Sequence, residues 1–143
     1  MPNFDLNQTA VAEIHHQTTQ YRTIVACLCA EWCDVCKIYR PKFEELAHLH
    51  PEALFLWIDV EDQAALVGDF EIDNFPTVLI QQEDVVTFFG TMQPETAQLH
   101  RILQSQQTQQ LDELRQYANS GEQQRAWQVE ANLRARMAQH TLF

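Results

Sequence analysis

The nine residues Tyr21–Cys29, YRTIVACLC, are a run of β-branched and apolar side chains too continuous for a strand with one wet face. Such a run suits a central strand covered on both sides, so the chain around it must supply neighbouring strands and a layer above and below. It leads directly into Ala30-Glu31-Trp32-Cys33-Asp34-Val35-Cys36-Lys37, in which two cysteines stand three positions apart. From Cys33 to Leu49 the periodicity is helical, with Ile38, Phe43, Leu46 and Ala47 expected on the buried side. Pro41 falls inside that helix and is expected to kink it.

The remaining elements follow from the same patterns. Residues Asn7–Thr18 read as a first helix with Ala10, Val11 and Ile14 on one face, Ala53–Asp59 as a strand, and Gln63–Phe70 as a short helix ending near Gly68. Thr77–Gln82 and Val85–Phe89 predict a hairpin across the polar turn Gln82-Glu83-Asp84, closed by Gly90. A helix is expected from Pro94 through Leu99, Ile102 and Leu103. The order helix, strand, helix, strand, helix, hairpin, helix predicts an α/β or α+β sandwich, a central mixed β-sheet flanked by helices on both faces.

Beyond Ser105 the composition turns rich in glutamine. Residues 1–105 therefore read as one domain and 106–143 as a C-terminal helical extension. Two helices, Thr108–Ala118 and Glu122–Gln139, are expected around the turn Asn119-Ser120-Gly121. Their stripes, Leu111, Leu114 and Tyr117 on one and Ala126, Val129, Leu133 and Met137 on the other, suit an antiparallel pair. The stripes and Trp127 have two uses: packing on the domain, or holding a partner or a second copy of the chain.

Charge narrows the partners. Residues 1–105 carry 16 Asp and Glu against 5 Lys and Arg, while 106–143 balance at 4 against 4, so the net charge of −11 belongs to the front domain. An acidic surface lacks the basic stripe that phosphates require, which argues against nucleic acid and anionic membrane as partners. No apolar run approaches the ~20 residues that span a bilayer, and residues 1–8 lack a basic and apolar leader pattern. A cytoplasmic protein is expected. The four cysteines, Cys27, Cys29, Cys33 and Cys36, cluster within ten residues, which in a reducing compartment points to redox or metal chemistry rather than stapling.

A thiol reacts as its thiolate. If the helix starts at Cys33, its sulfur meets unpaired N–H groups and the positive end of the helix dipole, worth about 0.3 to 2 kcal/mol to an anion. The Asp34 carboxylate opposes this by about 2 kcal/mol at 7 Å and an effective dielectric of 20, and by about a quarter of that when solvated. Cys36, one turn deeper, returns to the same face. The pair can close a small disulfide in which Cys33 attacks a substrate and Cys36 resolves the mixed disulfide, with Trp32 walling the approach. Zinc sites also use CxxC, and Cys29-x3-Cys33-x2-Cys36 has the spacing of radical-SAM iron–sulfur enzymes, but no second CxxC or Cys/His pair follows. No metal and no cofactor are expected.

AEWCDVCK resembles the WCxxCK active site of the thioredoxin family, and Pro41 stands where that family has its helix-kinking proline. Asn74-Phe75-Pro76-Thr77 resembles the family's cis-proline loop, and Phe89-Gly90 its later glycine segment. The resemblance spans residues 4–105. It implies a thioredoxin fold with a cis bond before Pro76, and a thiol–disulfide oxidoreductase acting on protein disulfides through Cys33 and Cys36. Trp32, Phe75 and Pro76 would bind the substrate, and a thioredoxin-reductase-like protein would donate electrons. The alternative is a thioredoxin-like interaction module whose residues 106–143 bind a partner or self-associate.

Two departures from the family matter. Asp34-Val35 replaces the usual Gly-Pro, and Cys27 stands where a buried aspartate commonly helps deprotonate the resolving cysteine, with Phe55 in place of that aspartate's lysine. A reductase weaker than a standard thioredoxin is therefore expected. Cys27 and Cys29 share a strand face and read as core hydrophobes, with Cys27 a candidate second partner for Cys36. Trp57 reads as core. His15, His16, His48 and His50 read as surface residues, and the clusters Asp59-Glu61-Asp62 and Asp69-Glu71-Asp73 as solvated helix ends.

Overall fold

In the computed structural model, which describes residues 3–5, 11–68, 70 and 72–140, the chain runs β1 (Asn3–Asp5), α1 (Val11–Thr18), β2 (Thr23–Cys29), α2 (Asp34–Leu49), β3 (Ala53–Asp59) and α3 (Ala64–Val67). It continues through β4 (Thr77–Gln82), β5 (Val85–Thr91), α4 (Ala97–Gln107), α5 (Leu111–Ala118), α6 (Glu122–Glu130) and α7 (Leu133–His140). The strands form one mixed sheet in the order β1-β3-β2-β4-β5. The central strand β2 is parallel to β3 and antiparallel to β4, so Thr23 to Leu28 are paired on both edges, while Cys29 at its end is paired with β3 alone.

Alternation along β2 feeds two cores. Ile24, Ala26 and Leu28 point to a layer with Ile14 of α1, Leu66 and Val67 of α3, and Leu133 and Met137 of α7. Val25, Cys27 and Cys29 point to the other layer, with Tyr39, Phe43 and Leu46 of α2 and Leu99 and Leu103 of α4. This is the period-2 geometry of a strand buried on both faces, and it is the arrangement expected from the continuous apolar run.

The helices differ from expectation in instructive places. The buried positions of α2 are Cys36, Tyr39, Phe43, Leu46 and Ala47, a spacing of three, four, three and one, and Ile38 is 64% exposed rather than core. Two residues on from Cys36, Ile38 has rotated about 200° around the axis. The helix expected from Pro94 begins at Ala97. An N-terminal strand not anticipated from the sequence, β1, pairs in parallel with Phe55–Trp57. Asn7–Ala10, expected in the first helix, and Asp69 and Glu71 of one acidic cluster lie outside the described residues.

Among the described residues, 106–140 add three helices rather than two, because the expected Glu122–Gln139 helix breaks at Ala131-Asn132. The reason lies in the sheet. Gln81 of β4 is fully buried and needs partners. Its amide donates to Asn132 Oδ1 at 2.8 Å, and its carbonyl oxygen accepts the Leu133 and Arg134 N–H groups at 3.0 and 3.3 Å, capping the start of α7. Gln128 of α6 likewise accepts from the Val86 N–H at 2.8 Å and donates to the Val86 carbonyl at 2.7 Å, covering the outer edge of β5. Gln128 thus stands in for a further strand beside β5, while Gln81 ties the sheet to the start of α7.

Trp127, Ala131, Leu133 and Met137 sit in the same apolar cluster as Ile24, Leu54 and Leu79, with Trp127 5.8 Å from the Phe88 ring. Of the second stripe, Val129 remains exposed at 82%. Leu133→Ala is expected to cost about 2 to 5 kcal/mol in urea denaturation, and Val129→Ala less than about 0.5 kcal/mol.

Candidate active site

The hinge between β2 and α2 is built by one carboxylate. Asp59, at the end of β3 and 5% exposed, accepts the backbone N–H of Glu31 at 3.0 Å, of Glu61 at 2.9 Å and of Asp62 at 3.1 Å. It is therefore a buried organiser of two loops, in contrast to the solvated helix end expected. Glu31, Asp59 and Asp62 bring one oxygen each within 4.8 Å of one another, and the amide bonds to both Asp59 oxygens account for that carboxylate's position.

On this support Cys33 takes the N-cap position of α2 with extended backbone, φ −84° and ψ 116°. Its N–H donates to the Ala30 carbonyl at 3.0 Å and its own carbonyl accepts from Lys37 N–H at 3.2 Å. The sulfur thus lies at the positive end of a 16-residue helix and remains partly exposed. Asp34 is 92% exposed, with Lys37 Nζ 4.0 Å away, so water and a cation screen its opposition to a Cys33 thiolate.

Trp32, 65% exposed, donates its indole N–H to the Glu61 carboxylate and meets the Phe75 ring edge-on at 5.7 Å. The Phe75–Pro76 peptide bond is cis, and Phe75 and Cys33 both pack against the α2-side core. The fold therefore brings Phe75 to the adjacent pair Trp32 and Cys33, from which it is far apart in sequence. Pro76 is buried and its carbonyl accepts from Met92 N–H at 3.1 Å. Val35 and Ile38, one turn apart on α2, extend the exposed apolar surface.

Beneath this surface the cysteines are arranged differently from expectation. Cys36 is bonded to Cys29, the last residue of β2, with their Cα atoms 5.9 Å apart, and Cys33 is free. Cys27 is also free, its sulfur 3.6 Å from that of Cys29. The sequence pointed to a Cys33–Cys36 bond and to Cys27 as the strand cysteine nearest Cys36. Helical periodicity turns Cys36 inward with Tyr39 and Phe43, onto the strand end where Cys29 lies.

Burial pushes the Cys27 thiol well up, with Arg40 acting weakly in the opposite direction. Tyr39 is pushed up as well, by burial first and by the Cys27 charge second, and its hydroxyl has no hydrogen-bond partner among the described residues. The Arg40 guanidinium lies 5.1 Å over the Trp57 ring, which is buried as expected. Tyr39 and Arg40 went unnoticed in the sequence, although Tyr39 continues the spacing set by Cys36 and Phe43. His50 is buried rather than exposed. It bonds Glu52 at 2.9 Å and His100 at 2.8 Å at the far end of α2, and Glu52 two residues on was the missed signal.

Residues 6–105 match the thioredoxin family profile. The chain belongs to the thioredoxin family. Curated relatives of this thioredoxin-family chain include a putative thioredoxin 2 of Streptomyces coelicolor, 39% identical over 41% of this chain and 44% of that protein. A thioredoxin-like protein of Oryza sativa, CXXS1, is 35% identical over 51% of this chain and 56% of its own length. The chain thus spans about half the length of these relatives. Among solved structures, a poplar thioredoxin h superposes with a TM-score of 0.65 at 19% identity, covering 77% of this chain and all of that one, which shows the thioredoxin fold.

The raised Cys27 thiol gives a signed pH dependence. Its ionisation favours the unfolded chain, so the stability it contributes is complete below the unfolded pKa of ~8.5 and is lost as pH rises above that value. Denaturation of the reduced protein is expected to show falling stability from about pH 8 to about pH 10, with a shallower slope in Cys27→Ala.

Proposed function

We propose that this protein is a thiol–disulfide oxidoreductase that exchanges a Cys33/Cys36 dithiol with disulfides of client proteins. The observation that carries the reading is the position of Cys33: partly exposed, at the N-cap of α2, beside the Trp32–Phe75 pair. Cys33 attacks a client disulfide and forms a mixed disulfide, releasing one client thiol. Cys36, 1% exposed, then attacks Cys33 and releases the second. A client cannot reach Cys36 directly, so the order of attack follows from burial.

Trp32 and the half-buried Phe75 present the flat apolar surface of the client platform, and the buried Pro76 takes part through its place next to Phe75 in the loop, so that an extended segment is held against the sulfur. In a cytosolic setting, a thioredoxin-reductase-like protein returns two electrons to the couple. The missing relay sets the rate. Cys27 and Phe55 are fully buried where the family resemblance puts an aspartate and a lysine, and a thiol held neutral by burial is a poor base for deprotonating Cys36.

Insulin reduction followed by turbidity is expected to run slower than with a standard thioredoxin and to vanish in Cys33→Ser. Cys36→Ser should trap a client as a mixed disulfide visible on a non-reducing gel. Trp32→Ala and Phe75→Ala are expected to lower kcat/KM by about tenfold, roughly 1.4 kcal/mol, while leaving the fold intact. Insulin reduction by Cys33→Ser at the wild-type rate would overturn the reading.

A further inference from the structure

We propose that Cys29 is a third redox residue, and that the oxidised protein comes to rest with a Cys29–Cys36 disulfide and a free Cys33 thiol. The inference rests on the exchange reaction proposed above and extends it by one step. Client reduction leaves Cys33 and Cys36 joined. The Cys29 thiolate then attacks Cys36 Sγ, the Cys33–Cys36 bond breaks, a Cys29–Cys36 bond forms, and Cys33 leaves as a thiolate that takes up the proton Cys29 lost. No electrons enter or leave in this step, and the disulfide moves from the surface to the interior.

Three features of the site support it. The Cys29 and Cys36 Cα atoms are 5.9 Å apart, inside the ~4.4–6.8 Å span a disulfide accepts, and the two sulfurs are bonded. Both residues are 1% exposed, so a bond between them is shielded from clients and from thiol reductants in solution. Cys33 alone of the three reaches the surface, so a buried Cys29–Cys36 bond can be reopened only from Cys33, by reversal of the same step. Cys27, whose sulfur is 3.6 Å from that of Cys29, is the next neighbour inward. Cys36 is nevertheless bonded to Cys29 and Cys27 stays free, so the exchange stops at Cys29.

This arrangement gives the oxidised protein a property that a two-cysteine couple lacks: an alkylatable Cys33. The test oxidises the full-length protein with excess client disulfide and blocks free thiols in the native state with iodoacetamide. It is then unfolded in acid, remaining thiols are blocked with N-ethylmaleimide, and the disulfide is reduced and labelled with a third reagent. All four cysteines lie on the single tryptic peptide Thr23–Lys37, so fragment-ion sequencing reads every label together.

The expected outcome is iodoacetamide on Cys33 and the third label on Cys29 and Cys36. In Cys29→Ala the third label should move to Cys33 and Cys36, lowering native alkylation of Cys33 by about tenfold or more. In pre-oxidised Cys33→Ser, native reduction of the buried bond by dithiothreitol should slow by a similar factor. A third label on Cys33 and Cys36 in the wild type overturns the inference and leaves the proposed couple standing. An absence of any third label, with the client unreduced, overturns the couple as well. Because the wild-type mapping needs no substitution, it holds even if a variant fails to fold.

Discussion

The structure depends on burying one strand on both faces and both edges. β2 hydrogen-bonds β3 on one side and β4 on the other, and its side chains alternate between two apolar layers. Cys27 and Cys29, near its end, are buried there, where a small thiol packs as a hydrophobe. The chain leaves the sheet at Ala30, and Glu31, Trp32 and the partly exposed Cys33 follow it onto the surface.

Asp59 joins this buried strand to a functional surface. One carboxylate satisfies amides from the segment before Trp32 and from the loop after β3, fixing where α2 starts relative to the sheet. That single placement puts Cys33 at the helix end, Cys36 in the core beneath it and Trp32 against Phe75. Cys29 and Cys36 are buried, whereas Trp32 and Cys33 reach the surface. Asp34 beside Cys33 is itself exposed, so water screens its charge.

Residues 106–140 complete the fold on its other face. Leu133 and Met137 fill the layer under α1 and α3, and Arg134 donates to the carbonyls of Thr18, Tyr21 and Arg22 at 2.6, 2.7 and 2.9 Å. Two of the glutamines that give this part of the sequence a low-complexity look, Gln106 and Gln128, are paired with sheet groups. Gln106, for example, accepts from Gln82 at 3.0 Å and from the Thr87 hydroxyl at 2.8 Å. Polar groups entering an interior must bring partners with them, and here both partners are amides or hydroxyls of comparable reach.

Much of this was legible locally. The unbroken apolar run marked β2, alternation marked the β4–β5 hairpin, and the CxxC at the strand-to-helix junction marked the site, because periodicity and turn chemistry are properties of a few neighbouring residues. Local patterns specify the layered α/β fold and a cluster of cysteines at the β2–α2 junction. Tertiary structure decided which thiol bonds which: Cys36 meets Cys29 because a helix face and a strand end converge, a distance no spacing encodes. It also decided that the last helix breaks at Asn132, since the cause is Gln81, 51 residues away, and that His50 is buried, since its second partner is His100. Patterns along a chain report which side of an element faces inward, but only packing brings chosen residues of different elements within bonding reach.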